Sequence, residues 1–269
     1  IPDDCEPALS ELMQRCWAPD ASSRPSFKEI NNYLDHILIN VSVPDEYGRQ
    51  FWRDNFLVTE EVLWDDFLPA FLQFIGVPPS FDLTSIERPS HDDFVVGLKC
   101  LKVMVAECSK NKTSTKMVVS LERFGKIISW FGPLSSPNPE VNNTYYFVNN
   151  MKELMQQTWF HGDITTKDAQ ERLSGKADNT FLIRFSNNAD GWFAVSEITD
   201  TRKIKHQRIK HRPGGAFIID NDEFGSLAEL VAERGYTRPC GGSNYQHIFQ
   251  ENPPEIYGYV SSEVSDDMM

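Results

Sequence analysis

Hydrophobic residues recur every three or four positions through the first 157 residues, which is the spacing of amphipathic helices. Residues 1–39 predict two helices, separated by the helix breaker "APDASSRP". Ser26 begins the second helix as an N-cap, with Glu29 three residues later in a capping-box arrangement. Residues 45–157 show the same spacing in "EEVLWDDFLPAFLQFIG", "HDDFVVGLKCLKVMVAE", "SLERFGKIISWFG" and "NNMKELMQQ". The first half of the chain is therefore predicted to be helical.

The pattern changes after Trp159. Short segments rich in β-branched and aromatic residues are separated by turn residues and predict three or four antiparallel strands: "NTFLIRFS", "GWFAVSEIT", "KIKHQRIKH" and "AFIID". The short helix "TTKDAQERL" precedes them, and the helix "SLAELVAERG" follows and ends at Gly235. This order predicts an α+β module of about 90 residues, a usual domain size.

The chain divides into four parts on these patterns: paired helices at 1–39, a helical linker region at 40–157, the α+β module at 158–250 and a tail at 251–269. Charge is distributed unevenly among them. The 269 residues carry a net charge of −13, yet residues 159–250 have no net charge, and the tail has five acids and no base. We expect this acidic, polar tail to be disordered.

Composition narrows the class of protein. An acidic chain lacks the basic face that general nucleic-acid binding needs. The five cysteines are odd in number and show no C-x-x-C spacing, which disfavours a disulfide framework or a zinc site and favours reduced thiols. No apolar run approaches the roughly 18 residues of a transmembrane helix, and the N-terminus is not a signal peptide. We expect a cytoplasmic protein without a membrane span, metal or cofactor.

Arg184 lies in the middle of the apolar segment "FLIRFS". An arginine is almost never fully buried unless it is paired with negative charge. Its planar guanidinium matches phosphate oxygens with two parallel hydrogen bonds, and an arginine at the floor of a pocket favours phosphotyrosine, because phosphoserine is too short to reach it. The alternative, which the residue types alone leave open, is a structural pairing of Arg184 with an internal carboxylate.

The residues around this strand are typical of an anion site. Residues 202–212 include six Lys or Arg, two His and no acid. Alternation along the strand places His206 and Arg208 on one face and Gln207 on the other. The loop after Arg184 offers short hydrogen-bonding side chains, at Ser186, Asn187 and Asn188. Backbone N–H groups of such a loop form anion-binding nests. An ordinary solvated strand edge is the alternative for the basic strand.

These segments, in order, resemble the Src-homology-2 (SH2) domain along residues 159–250. The signature strand of that family, F-L-V-R-E-S, has its counterpart in "FLIRFS". The resemblance implies a central antiparallel sheet flanked by two helices, with a pocket that binds phosphotyrosine in proteins or peptides. It implies phosphotyrosine contacts from Arg184, Ser186, Asn187, Asn188, His206 and Arg208, and a peptide-specificity role for Gln207.

The chain departs from the SH2 pattern at one position. The family usually has an arginine early in its first helix, and Thr166 stands there in this sequence, followed by Lys167. The chain therefore lacks the phosphate contact that this helix arginine makes in the family, and Arg208 becomes the residue expected to replace it.

Residues 5–30 resemble the last two helices of tyrosine kinases and tyrosine-kinase-like kinases through a Leu-Met pair, a Cys-Trp pair and Arg-Pro-Ser-Phe. In that family the residue matching Arg24 pairs with a glutamate of the activation segment. The chain contains no Gly-rich loop, V-A-I-K lysine, H-R-D or D-F-G. We therefore expect a chain that is not itself an enzyme, with full-length relatives that are protein kinases. The alternative is the C-terminal portion of a kinase whose catalytic lobe is missing here.

The helical linker is similar in layout to the region before the SH2 domain in signal transducers and activators of transcription and in Cbl ubiquitin ligases. A transcription regulator would need a DNA-binding domain, which these residues lack. An EF-hand-like helix pair is an alternative for this region, but the sequence has no D-x-D-x-D-G loop, which disfavours calcium binding. The linker aromatics are predicted to form a core, with a partner-binding groove as the alternative: Trp52, Phe56, Trp64, Phe67, Phe71, Phe74, Phe124, Trp130 and Phe131.

The order of kinase end, linker and C-terminal SH2 domain resembles the amoebozoan SH2-bearing kinases. The tail adds Tyr257 and Tyr259 in an acidic context. When phosphorylated, these tyrosines are candidate ligands for the pocket of the same chain or of a second copy. The alternative is a tail whose tyrosines are unmodified.

Overall fold

The computed structural model describes residues 1–109, 116–136, 138, 143–212 and 215–249. The helices are α1 (Pro7–Cys16), α2 (Phe27–Ser42), α3 (Glu46–Phe56), α4 (Trp64–Phe74), α5 (Asp93–Val105), α6 (Leu121–Phe131), α7 (Asn143–Met155), α8 (Thr166–Leu173) and α9 (Leu227–Glu233). The strands are β1 (Glu61–Leu63), β2 (Glu107–Cys108), β3 (Met117–Ser120), β4 (Phe160–Gly162), β5 (Thr180–Phe185), β6 (Phe193–Ile198), β7 (Ile204–His211), β8 (Phe217–Ile219), β9 (Asp222–Phe224) and β10 (Arg238–Pro239). The predicted α+β class, with a helical first half, is confirmed. The tail with Tyr257 and Tyr259 lies outside the described residues.

A small three-stranded sheet in the linker was not predicted. Its order is β1-β3-β2, and β1 pairs antiparallel with β3 so that Val62 lies opposite Val119. This pairing joins two helix–strand–helix units, α3–β1–α4 and α5–β3–α6. The strands have only two to four residues, and β1 and β3 run directly into a helix. Their apolar residues therefore continued the helical spacing in the sequence and gave no separate signal.

The N-terminal helices lead into the linker without a break. The capping box at Ser26 and Glu29 is present at the start of α2. This helix continues to Ser42, through the boundary predicted between residues 39 and 40. Ile39 and Val43, at its C-terminal end, are buried in the linker core. No described helix is long and apolar enough to cross a membrane.

The C-terminal module is built on a seven-stranded sheet in the order β10-β5-β6-β7-β8-β9, with β4 also paired to β5. Helix α8 covers one face, where Ala169 and Leu173 pack with Leu182 and Ile198. Helix α9 lies on the other face, where Leu230 joins the main core. The strands β5, β6 and β7 are antiparallel neighbours, as the strand pattern predicted.

One hydrophobic core runs from the linker into the C-terminal module. Seven of the nine linker aromatics singled out from the sequence are buried, and Phe56 and Phe74 pack against that core while partly buried. The prediction that they form a core is confirmed. The junction is marked by Trp130 of α6, whose ring stacks on Phe185 with centroids 3.7 Å apart.

Candidate functional site

Arg184 lies near the end of β5, on the face of the sheet that α8 covers, and is only 4% exposed. Its Nη1 donates to the Phe185 carbonyl at 3.0 Å and to Asn187 Oδ1 at 2.7 Å. Its Nη2 donates to Thr166 Oγ1 at 2.7 Å. All three acceptors are neutral groups, so they orient the guanidinium but do not cancel its charge.

The charge of Arg184 is not balanced by a carboxylate in the described part of the chain. Burial lowers the pKa of the Arg184 guanidinium, and among the described residues no acid acts against that effect. Among the described residues, its Nε is also a buried donor with no hydrogen-bond partner. The internal carboxylate that the sequence left open as an alternative is therefore not found there. A buried cation without a counter-ion favours an anion brought by a ligand.

The sheet register aligns Arg208 with Arg184. Arg184 pairs with Ala194 on β6, and Ala194 pairs with Arg208 on β7. Directly paired residues point to the same face of a sheet, so both arginines lie on the α8 face. The small side chain of Ala194 separates them, and the side chain of Arg208 is exposed. The two cations therefore lie on one face of the sheet, Arg184 buried and Arg208 exposed.

His206 lies on the same face, two residues before Arg208. Its Nδ1 is 2.8 Å from Ser196 Oγ, and its Nε2 is 3.2 Å from Nε2 of Gln170 in α8. Burial lowers the pKa of His206, and the charge of Arg184 lowers it further. The imidazole is therefore held neutral between the helix and the sheet.

The loop after β5, residues 186–192, is called the phosphate loop below. Ser186 is 9% exposed, and its Oγ accepts from the Asn188 N–H at 3.4 Å. Asn187 and Asn188 are exposed, and Asn187 contacts the guanidinium directly. Of the three loop residues singled out from the sequence, Asn187 contacts Arg184, and Ser186 and Asn188 are joined to each other by a hydrogen bond.

Thr166 is the first residue of α8, at the position where SH2 domains usually have arginine. Its hydroxyl accepts from Arg184, so this side chain belongs to the site. Lys167 does not replace the missing arginine, because its side chain is 85% exposed and its Nζ lies 3.8 Å from Glu171 on the helix surface. The helix begins with a capping box between Thr165 and Asp168, and the hydrogen bond from Arg184 to Thr166 joins its first turn to β5.

The sequence analysis missed Gln170 and Ser196, which hold His206. Gln170 follows Thr166 by four residues, so both lie on one helix face, and this spacing was a usable signal. Ser196 is fully buried in β6, where its role depends on strand register. Gln207 lies on the opposite sheet face from His206 and Arg208, opposite Val195.

A second polar cluster lies at the other end of α8. His161 is 1% exposed, with Nε2 2.8 Å from the Cys240 carbonyl and Nδ1 2.6 Å from Nη1 of Arg172. Since guanidinium only donates, Nδ1 is the acceptor and Nε2 carries the proton. Arg172 also donates to the Gly242 carbonyl and to Asn244 Oδ1. The neutral imidazole thus joins α8 to the loop after β10.

Lowering the pH from 7.5 to 5.5 is expected to reduce the free energy of unfolding. Burial lowers the pKa of His161, and it also lowers the pKa of His206 and His211. Below about pH 6.5, the usual histidine pKa, the unfolded chain takes up protons that the folded chain resists, so stability is lost as the pH falls. Urea unfolding at several pH values measures this, and H161F is expected to flatten the pH dependence. A stability independent of pH across this window would contradict it.

Comparison with known families agrees with this geometry. A family model described as SH2 domain matches residues 159–233. The chain contains an SH2 domain. A second model, described as protein tyrosine and serine/threonine kinase, matches residues 1–34. This N-terminal match confirms that a kinase fragment precedes the linker. The SH2 match covers β4 to α9, and so includes Arg184, the phosphate loop and the basic strand β7.

Curated relatives share most of the chain together with its SH2 domain. Dual specificity protein kinase shkC of Dictyostelium discoideum is 39% identical over 247 residues, which are 91% of this chain and 46% of that protein. Dual specificity protein kinase shkA of the same organism is 34% identical over 277 residues, which are 97% of this chain and 50% of that protein. The chain spans about half the length of these relatives. The predicted resemblance to amoebozoan SH2-bearing kinases is confirmed.

A solved structure also matches part of this chain. The solution NMR structure of the SH2 domain of a CRK/CRKL homolog (crka1) from Monosiga brevicollis is 22% identical, with a TM-score of 0.30. The alignment covers 32% of this chain and 88% of that one.

The expectation that the chain is not an enzyme is wrong. The relatives that match about nine-tenths of it are named dual specificity protein kinases, and residues 1–34 match a kinase model. The expectation relied on kinase motifs that are missing from these 269 residues. The relatives are about twice as long as the matched segment, so motifs absent from this segment carry no information about the activity of the family.

Proposed function

We propose that the SH2 domain binds phosphotyrosine in partner proteins and acts as a reader of tyrosine phosphorylation in intracellular signalling. The observation that carries this proposal is the buried guanidinium of Arg184, which has neutral partners and no carboxylate in the described part of the chain. A phosphate group carries about −1.5 to −2 charges at neutral pH, which this cation can offset.

The phosphate would take the place of the neutral acceptors. Asn187 and Thr166 accept from the two terminal nitrogens of Arg184, and phosphate oxygens are stronger acceptors for the same donors. Ser186, Asn187 and Asn188 would then donate to the phosphate from the phosphate loop. Arg208 would approach from β7, and its exposed guanidinium is the group best placed to offset the missing arginine at Thr166.

Tyrosine fits this site better than serine because of depth. Arg184 is 4% exposed, so a phosphate must be carried inward on a long, rigid side chain. His206, held in place by Gln170 and Ser196, would line the tyrosine ring. Gln207 lies on the other face of β7, and we propose that it faces the residue after the phosphotyrosine.

Three peptides that share one sequence but carry tyrosine, phosphotyrosine or phosphoserine are expected to differ in their affinity for the SH2 domain. The phosphotyrosine form should bind at least tenfold more tightly than the unphosphorylated form, since each charged hydrogen bond contributes about 1.5–3 kcal/mol, or about 13-fold to 160-fold in affinity. The phosphoserine form should resemble the unphosphorylated one. Isothermal titration calorimetry with the three matched peptides measures the three affinities. Equal binding of phosphoserine and phosphotyrosine would exclude a deep tyrosine pocket.

A second proposal concerns the longer protein. We propose that the whole protein is a dual specificity protein kinase and that this chain carries its SH2 module, as the names of the relatives and the kinase match at residues 1–34 suggest. An assay of the longer protein for phosphate transfer to serine, threonine and tyrosine tests it. We place its action in the cytoplasm, and we retain phosphorylated Tyr257 and Tyr259 as further candidate ligands.

A further inference from the structure

The phosphate loop is held from outside the SH2 match, by helix α6 of the linker. The loop is closed by a hydrogen bond from the Ser186 N–H to the Trp192 carbonyl, 2.9 Å long. Nε1 of Trp130 donates to the same carbonyl at 3.3 Å. A linker side chain therefore supports the hydrogen bond that gives the loop its shape.

The ring of Trp130 also supports the strand that carries Arg184. It stacks on Phe185 with centroids 3.7 Å apart and ring planes 12° apart. The carbonyl of Phe185 accepts from Nη1 of Arg184. Because Phe185 and Trp192 lie at the two ends of the phosphate loop, one tryptophan contacts both of its ends.

The C-terminal end of the loop is in contact with the same helix. Gly191 has a φ of +76°, and a Cβ at this position would lie 2.9 Å from the Ser129 carbonyl. The Gly191 carbonyl in turn lies 3.3 Å from Nδ1 of His211, which is buried. The backbone of the loop therefore approaches the last turn of α6 too closely to admit a side chain.

We propose that α6 is a positioning element of the phosphotyrosine site, with Trp130 as the positioning residue that sets the affinity of the pocket. This inference rests on the proposed binding of phosphotyrosine. It extends the functional site from the SH2 domain into the linker. Loosening α6 would let the phosphate loop sample shapes in which its N–H groups no longer converge, and the bound phosphate would have to restore their order.

Trp130→Phe tests this inference, because phenylalanine keeps an aromatic ring and removes the Nε1–H donor. Trp52→Phe is the matched control. Trp52 is also a buried linker tryptophan, and its Nε1 donates to the Thr59 carbonyl at 3.1 Å, away from the SH2 domain. Both variants lose one hydrogen bond to a backbone carbonyl, so both should lose similar stability.

Two measurements on these variants test whether Trp130 positions the phosphotyrosine site. In the free chain, hydrogen exchange of a peptide spanning residues 186–192 should be faster in W130F and unchanged in W52F. The affinity for a phosphotyrosine peptide should fall about fivefold in W130F, as for one typical hydrogen bond, and change less than twofold in W52F. Equal exchange and equal affinity in the two variants, or faster exchange with unchanged affinity, would overturn the proposal.

A second pair of variants approaches the same junction from the loop. Gly191→Ala adds a Cβ against α6, whereas Gly175→Ala has a similar φ of +72° and nothing within 4 Å of its Cβ. Both variants place alanine at a similar positive φ, so both carry similar backbone strain. Only G191A also presses a Cβ against α6, and only G191A should weaken phosphotyrosine binding. If the wild-type chain binds no phosphotyrosine peptide, the proposed function fails, and the exchange data still decide whether α6 anchors the loop.

Discussion

Replacing Arg184 with alanine is expected to abolish most of the affinity for phosphotyrosine peptides. The loss should be about 2–5 kcal/mol, or about 30-fold to several thousand-fold in the dissociation constant, the range for truncating one member of a buried charge pair. Of the two arginines on this face of the sheet, Arg184 is buried, whereas Arg208 reaches the site only from the exposed side. Calorimetry with one phosphotyrosine peptide measures the effect.

Two further variants show whether the loss of binding is specific to the guanidinium of Arg184 or follows from removing any positive charge. Arg202→Ala removes one positive charge from the same domain at a side chain that is 87% exposed, and it should bind nearly as tightly as wild type. Arg184→Lys keeps the charge and loses the planar fork, so it should fall between the two. Circular dichroism of R184A verifies the fold. A folded R184A that binds as well as wild type would disprove the pocket.

Gly125→Ala is expected to be the most destabilising single-methyl change in the linker. A Cβ on Gly125, in α6, would lie 1.9 Å from the Ser42 carbonyl oxygen and 2.8 Å from the Ser42 carbonyl carbon in α2. Backbone cannot rotate away as a side chain can, so the two helices must separate. The cost is expected to be about 3 kcal/mol, the upper end for overpacked sites, although alanine favours a helix by about 1 kcal/mol over glycine.

Urea unfolding of G125A measures this cost. Gly241→Ala is the control, because a Cβ there meets nothing within 4 Å and the backbone has no positive φ; it should unfold like wild type. An unchanged free energy of unfolding in G125A would contradict this prediction, because it would mean that α2 and α6 can move apart at no cost. The contact matters beyond stability, since α2 begins in the kinase-matching segment and α6 ends at the phosphate loop.

Much of the site was predictable because its signals are local. An arginine inside a five-residue apolar stretch is visible in the sequence, and so are a loop of short polar residues and a basic strand. Strand alternation also placed His206 and Arg208 together on one face. The contacts of α8 were less accessible. Thr166 was noted only as a departure from a family pattern, and Gln170 was missed.

The features that the sequence did not predict, or predicted wrongly, have physical reasons. The strands β1 to β3 have two to four residues each, too few for a period of two to appear beside helical spacing. The boundary placed between residues 39 and 40 lies inside α2, because this helix continues to Ser42 and its C-terminal end is buried in the linker core. The enzyme expectation failed for another reason. It used the absence of motifs from one segment as evidence about proteins twice its length.

The sequence by itself determined the α+β class, the SH2 resemblance and the choice of Arg184, because burial, alternation and charge act over a few neighbouring residues. Only the tertiary structure decided that the described residues supply no carboxylate to balance Arg184, since any distant acid was free to fold against it. Only the tertiary structure joined Trp130 to Trp192, 62 residues apart. Such contacts depend on how two folded units pack, and no local pattern encodes that packing.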